Sequence, residues 1–172
     1  YIGSHAVLQL LKNGEDVVVV DNLSTGHRES VLGGKLYVGD LRDEEFLDKV
    51  FNENEIEGVI HFAASSLVGE SMENPLKYYE NNVLGSMCLL KAMRDHKVDK
   101  IVFSSTAAVY GEAERVPIEE DDKKVPTNTY GETKLAIEKM LKRCEKAYGI
   151  KHIVLRYFNV AGASEDGILY AI

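Results

Sequence analysis

Four short apolar runs constrain this chain more than any other feature. They are "VVVVD" 17–21, "GVIHFAA" 58–64, "KIVFSS" 100–105 and "KHIVLRYFN" 151–159. Each is rich in β-branched or aromatic residues and lacks strict polar alternation, which suits strands buried on both faces. Between them, stretches near 4–13, 43–53, 75–96 and 130–148 carry helical spacing. In the last, Tyr130, Lys134, Ile137, Leu141, Cys144 and Tyr148 share one side. Strands alternating with helices build βαβ units, so the fold expected is α/β with a doubly wound parallel sheet.

The chain's 172 residues fit a single domain that buries about 70% of its extended surface. Hydrophobic residues make up 45% and charged residues 28%, with a net charge of −8. That negative balance argues against a nucleic-acid or anionic-membrane partner, which needs clustered Lys and Arg. A small anionic ligand stays open, because amides at helix N-termini can hold one without net positive charge. Cys88 and Cys144 form neither a disulfide framework nor a metal cluster, so a cytoplasmic location is expected. The histidines at 5, 27, 61, 96 and 152 show no metal spacing, and no metal is expected. No apolar run approaches the ~20 residues of a membrane span, and no signal peptide is visible. Residues 112–128, with six acids and two prolines, read as a solvated surface loop.

Ligands of such sheets bind at the carboxyl ends of the strands. Those places hold Asp21-Asn22, Ala63-Ala64-Ser65-Ser66, Ser104-Ser105-Thr106 and Tyr157-Phe158-Asn159. Gly3 alone is no fingerprint, but "VVVVDN" sets Asp21 at the end of the next strand, 18 residues later. A carboxylate there hydrogen-bonds both hydroxyls of an adenosine ribose and repels a 2′-phosphate, favouring NAD over NADP. A turn or cap role is the plain alternative for Asp21. For Asp40, in "VGDLRD", a cap on the 43–53 helix and an adenine contact are evenly balanced.

"YGETK" places Tyr130 and Lys134 one helical turn apart at the start of a helix beside this crevice. Two ordinary surface residues share that spacing, so the motif is weak by itself. Free tyrosine titrates near ~10, and bringing it to about 7 takes roughly 4 kcal/mol. One cation at ~4 Å supplies about that much at an effective dielectric near 20. The pair is therefore a candidate general base.

The stretches "YIGSHAV", "DNLSTGHR", "GDLRD", "VIHFAA", "VGESMENPLKYYENNV", "IVFSSTAAVYG", "YGETK" and "LRYFNVAGA" run in order from residue 1 to about 164. On them the chain resembles the extended short-chain dehydrogenase/reductase family, and within it the UDP-glucose 4-epimerases. The resemblance implies a Rossmann-like domain holding NAD. Tyr1 and Ile2 fall at the pyrophosphate turn, with Asp21, Asn22, Leu23, Ser24, Thr25 and Gly26 around the adenosine ribose. Asp40 and Leu41 fall at the adenine. Phe62, Ala63, Ala64, Ser65 and Ser66 follow the cofactor, and some epimerases carry Lys where this chain has Ser66. Asn82, Tyr130, Lys134 and Phe158 complete the NAD contacts. For the UDP-hexose substrate, Thr106 and Tyr130 meet the sugar 4-hydroxyl, and Asn159 falls where the nucleotide sugar is held. The implied activity interconverts UDP-glucose and UDP-galactose through a 4-keto sugar, with Tyr130 as base and Lys134 and Thr106 assisting. A homodimer through the helices near 75–96 and 130–148 is also implied.

Three rivals stand beside this. A 4,6-dehydratase carries an Asp-Glu pair after the active-site Thr; here Ala107 and Ala108 stand there and cannot move protons. A UDP-glucuronate decarboxylase remains open. A non-catalytic dinucleotide sensor is disfavoured by the retained Tyr130, Lys134 and Thr106. Residues 1–172 are expected to be an incomplete NAD-binding domain that lacks the fold's first strand and a C-terminal substrate domain, since "ILYAI" after Gly167 departs from the family. Two strands would then keep unpaired backbone groups. The chain as written is expected to bind NAD poorly and to turn over no sugar.

Overall fold

Helix, strand and crossover alternate from the first residues of the structure, a computed structural model that describes residues 1–165, 167 and 169. Except for Leu169, the segment "ILYAI" lies outside the described residues. In chain order the elements are α1 (Ile2–Lys12), β1 (Val18–Asp21), β2 (Lys35–Val38), α2 (Glu44–Asn52), β3 (Val59–His61), α3 (Val68–Glu73), α4 (Pro75–Tyr78), a π-helical turn (Tyr79–Leu84), α5 (Gly85–Asp95), β4 (Lys100–Thr106), α6 (Thr129–Tyr148) and β5 (Lys151–Tyr157). The stretch near 75–96 is thus not one regular α-helix, because a π turn interrupts it.

Every strand pairing is parallel, as the alternation of elements requires. β1 pairs with β2, and β3, β4 and β5 form a second group in that order. In the second group Val59 lies opposite Ile101, and Ser105 opposite Arg156. Among the described residues no strand hydrogen bond joins the two groups.

The helix boundaries follow local chemistry. Asp43 caps α2 by accepting from Phe46 N at 3.0 Å, and Asn128 caps α6 by accepting from Gly131 N at 2.8 Å. Gly149, at φ 75°, ends α6 in the left-handed conformation that glycine adopts without strain. Gly131 allows close approach, since a Cβ there would lie 2.7 Å from the Ala108 carbonyl oxygen. The first turn of α6 can therefore press against the turn that follows β4.

The core lies on one side of the larger sheet. Phe51, Leu89, Leu90, Met93, Ile101, Phe103, Ile137 and Leu141 are buried together where α2, α5 and α6 cover β4. Burial on both faces of the strands is not observed. Along β5 exposed and part-buried residues alternate, and Ile60, Ile153 and Leu155 are 42%, 59% and 39% exposed. Helices cover the Phe103 face, and the opposite face stays open at these positions. No residue of α1 is fully buried. The stretch 112–128 is a mostly exposed loop, held by its own ion pairs and by β5. Arg115 binds Glu119 and Asp122, Lys123 binds Glu114, and Arg156 on β5 holds the Glu120 carbonyl oxygen at 3.1 Å.

Candidate active site

α6 and β4 bring the Tyr-x3-Lys pair to the carboxyl end of the sheet. The Tyr130 backbone N–H is held by Ser71 Oγ at 3.1 Å, and Ser71 is fully buried in α3. The Tyr130 phenol is half-buried, with the Thr106 hydroxyl close enough to pull its pKa down. Thr106 ends β4, and its Oγ1 accepts from Ala108 N at 3.1 Å. With that acceptor site taken, the hydroxyl proton remains available to an oxygen in front of it.

Lys134 is only 2% exposed. Its ammonium donates to the Ser104 carbonyl oxygen at 2.7 Å and sits 4.8 Å over the Phe103 ring and 5.9 Å from the Tyr130 ring centroid. Burial pushes its pKa down to about 8. The Tyr130 phenol is pushed above its usual value by burial, while the Thr106 hydroxyl pulls the other way. The Lys134 ammonium is taken up by the Ser104 carbonyl, and burial is the larger influence on the phenol.

His61, at the end of β3, is buried and held down to about 3 by desolvation and then by the nearby Lys134 charge. Ser86 Oγ donates to the Asn82 carbonyl oxygen at 2.6 Å and meets His61 Nε2 at 2.8 Å. A hydroxyl has one proton, so His61 donates from Nε2 and the ring is neutral.

Asn82 lies in the π turn, 1% exposed. Its Oδ1 accepts from Ser65 N and Asn81 Nδ2, and its Nδ2 donates to the Ser65 carbonyl and Thr133 Oγ1. All four positions of the amide are used, so Asn82 braces the loop after β3 against α6 and has no side-chain capacity left for a ligand. π turns often occur at functional sites.

At the other sheet, Asp21 Oδ1 accepts from Leu23 N at 2.7 Å, and Asn22 Oδ1 accepts from Ser24 N at 3.1 Å. Leu23 has φ 54°, and a Cβ on Gly26 would lie 3.8 Å from both Asp21 oxygens. Ser24, Thr25 and Gly26 are exposed, so the loop curls round the carboxylate and leaves it accessible. Asp40 is not the α2 cap; Asp43 is. Asp40 is pinned by Arg42 through its backbone N–H and guanidinium at 2.7–2.9 Å and by Asn22 Nδ2 at 3.3 Å. The guanidinium holds its carboxyl well below the usual range.

Leu41 lies beside Gly85, where a Cβ would be 3.5 Å away, and Phe62 lies beside Gly3 in α1 at 3.8 Å. Ala63, Ala64, Ser65 and Ser66 form the loop after β3. Tyr1 and Ile2 open α1, and Tyr1 Oη donates to the Gly162 carbonyl at 3.0 Å, bridging that end to the loop after β5. Phe158 is 66% exposed and Asn159 is exposed in that same loop, while Tyr130 is half-buried and Lys134 buried.

The sequence marks Ser105 only as part of a strand end and His61 only as a histidine without metal spacing, and it gives Ser71, Glu138 and Arg156 no role. Glu138 and Arg156 left a signal: the first repeats the Tyr130–Lys134 spacing once more, and the second is a cation inside an apolar strand.

Likeness to other proteins follows the same outline. The UDP-glucose 4-epimerase of Halalkalibacterium halodurans is 58% identical over 167 residues, which are 97% of this chain and 50% of that one. A crystal structure of a UDP-glucose 4-epimerase is 58% identical with a TM-score of 0.97, covering 99% of this chain and 52% of that chain. The UDP-glucose 4-epimerase from Bifidobacterium longum, crystallised with NAD+ and UDP, is 40% identical with a TM-score of 0.94, covering 99% and 54%. The chain thus spans about half the length of the relatives it matches. The profile of the NAD dependent epimerase/dehydratase family matches residues 1–170, and the parallel sheet with its Tyr130–Lys134 helix belongs with it: this chain is a member of that family.

Proposed function

We propose that the protein carrying this chain interconverts UDP-glucose and UDP-galactose by oxidation and re-reduction at the sugar C4, in the cytoplasm, with NAD as resident cofactor. The observation that carries the reading is the Thr106–Tyr130–Lys134 constellation at the carboxyl end of the parallel sheet, followed by Ala107 and Ala108. Two methyl groups supply no acid or base for elimination, which favours epimerisation over dehydration within the family. The names of the relatives agree.

The residues fit NAD. The half-buried Asp21 carboxylate, cradled by the 22–26 loop, is a pair of acceptors suited to a ribose diol and hostile to a 2′-phosphate. Tyr1 and Ile2 would meet the pyrophosphate, Asp40 and Leu41 the adenine, and residues 62–66, Tyr130, Lys134 and Phe158 the remainder. NAD when bound supplies a hydride acceptor and donor at C4 and a positive charge beside the phenol.

The chain's own groups divide the remaining work. Tyr130 takes the proton from the sugar 4-hydroxyl and later returns it. Thr106, pinned through Ala108 N, presents its proton to the 4-oxygen as charge develops there. Lys134, excluded from water, adds a cation behind the phenol. Asn159 stands where the nucleotide sugar is held. Residues 1–172 provide the NAD-binding part, and the substrate's other contacts come from the portion of the relatives that this chain does not span. A homodimer through α4–α5 and α6 is part of the proposal, supported by Leu76, Met87 and Tyr148, which are 72%, 42% and 55% exposed on those helices.

The test is Tyr130→Phe in the full-length protein with UDP-galactose. Loss of general-base catalysis is expected to lower kcat, measured per mole of bound NAD, by about 10²–10⁴-fold. Near-normal interconversion by the variant sinks the reading.

A further inference from the structure

Three side chains outside the proposed chemistry tie α6 to the sheet just behind it. Tyr130, Lys134 and Glu138 fall at successive helical turns on one line of α6. The Glu138 carboxylate is 9% exposed and accepts Ser105 Oγ at 2.6 Å, Arg156 Nε at 3.0 Å and Arg156 Nη2 at 2.8 Å. Ser105 is 2% exposed and sits between the two β4 residues that meet the pair. Its neighbour Ser104 takes the Lys134 ammonium, and its neighbour Thr106 brings its hydroxyl toward the Tyr130 phenol. Two successive residues of β4, Ser104 and Ser105, therefore hold two successive turns of α6, and Thr106 lies beside the first turn. Arg156, opposite Ser105 on β5, also donates to Tyr110 Oη at 2.7 Å and the Glu120 carbonyl at 3.1 Å.

Desolvating a carboxylate and a guanidinium is costly, and apolar side chains of similar volume would serve packing as well or better. Directional bonds do something that apolar contact does not. Leu135, Ile137 and Leu141 could slide along the sheet with little loss, whereas Glu138 meets Ser105 and Arg156 at one axial setting only.

We propose that Ser105, Glu138 and Arg156 are positioning residues, which fix the register of α6 on β4 and so the placement of Tyr130 and Lys134 against Thr106. The link to turnover rests on the epimerase reading above.

The experiment uses Ser105→Ala and Glu138→Gln in the full-length protein, with Arg156→Lys in reserve if the second does not fold. Three quantities are measured: the native-state titration of Lys134 by carbon-13 NMR of labelled lysine, Tm, and kcat with KM for UDP-galactose. With the register loosened, water reaches the ammonium, and the Lys134 midpoint is expected to rise from about 8 by roughly half a unit or more. kcat is expected to fall about 10- to 100-fold with KM within about twofold. A strut that only stabilises would lower Tm and leave the native-state titration where it was. An unmoved Lys134 titration overturns the proposal whatever the rate does, and a moved titration with wild-type kcat overturns the link to catalysis. Absence of turnover in the wild type refutes the epimerase reading, and the titration alone then decides the register.

Discussion

Lys134 shows how far a side chain's surroundings can pull it from its usual behaviour. A lysine buried to 2% exposure, with a strand carbonyl and an aromatic face as company, carries its charge at the fold's expense. Its pKa of about 8 lies below the unfolded value of 10.5. Below pH 8 both states hold the proton and the penalty is constant. Between about 8 and 10.5 the unfolded chain holds the proton more tightly, so stability rises with pH, by about 1.4 kcal/mol per unit inside that window. Lys134→Met is therefore expected to be at least as stable as wild type at pH 7. Its advantage should shrink as the pH climbs from 8 to 10. Denaturant melts of both proteins across that range check this, and a variant markedly less stable at pH 7 would contradict it. Turnover in the same variant should be lost, which is the usual exchange of stability for activity.

At the scale of elements, the segment from Pro75 to Asp95 teaches most. Its composition reads as one helix, yet six residues wind as a π turn and carry Asn82 inward. The extra residue in that turn lets one amide reach both Ser65 and Thr133, which lie 17 and 51 residues away in sequence. Asn82→Ala strips partners from the part-buried Ser65 backbone and the buried Thr133 hydroxyl, and is expected to cost about 1–3 kcal/mol for each buried group left unsatisfied. Urea unfolding measures the cost. Hydrogen exchange at Ser65 N–H should accelerate by more than the global loss explains. Equal acceleration throughout the core would mean that Asn82 packs and does not brace.

At the scale of the whole molecule, the two groups of strands differ in support. The β3–β4–β5 group is backed by α2, α5 and α6, while among the described residues β1 and β2 pair only with each other, beside an α1 that buries no residue. Two-stranded sheets are marginal in water. In the 172-residue chain, amides of β1 and β2 should exchange by local opening at far lower free energy than those of Ile101–Phe103 on β4. Hydrogen exchange with mass spectrometry reads this directly, and uniform protection across both groups would refute it.

The sequence determined what depends on near neighbours. β-Branched runs marked β1, β4 and β5 to within two residues, overran β3 by three and left out β2; helical periodicity marked α1, α2 and α6, and strand ends pointed to Asp21, Thr106 and the start of α6. Spacing alone paired Tyr130 with Lys134, because a helix repeats every 3.6 residues wherever it lies. Tertiary structure decided the rest. It set which strand face is covered, gave Asp40 to Arg42 and the α2 cap to Asp43, and aimed Lys134 at Ser104. It also joined Glu138 to Arg156 across 18 residues. The reason is physical: burial, hydrogen-bond partners and the proton affinities they set come from atoms that only the folded chain brings together, and no local period encodes them.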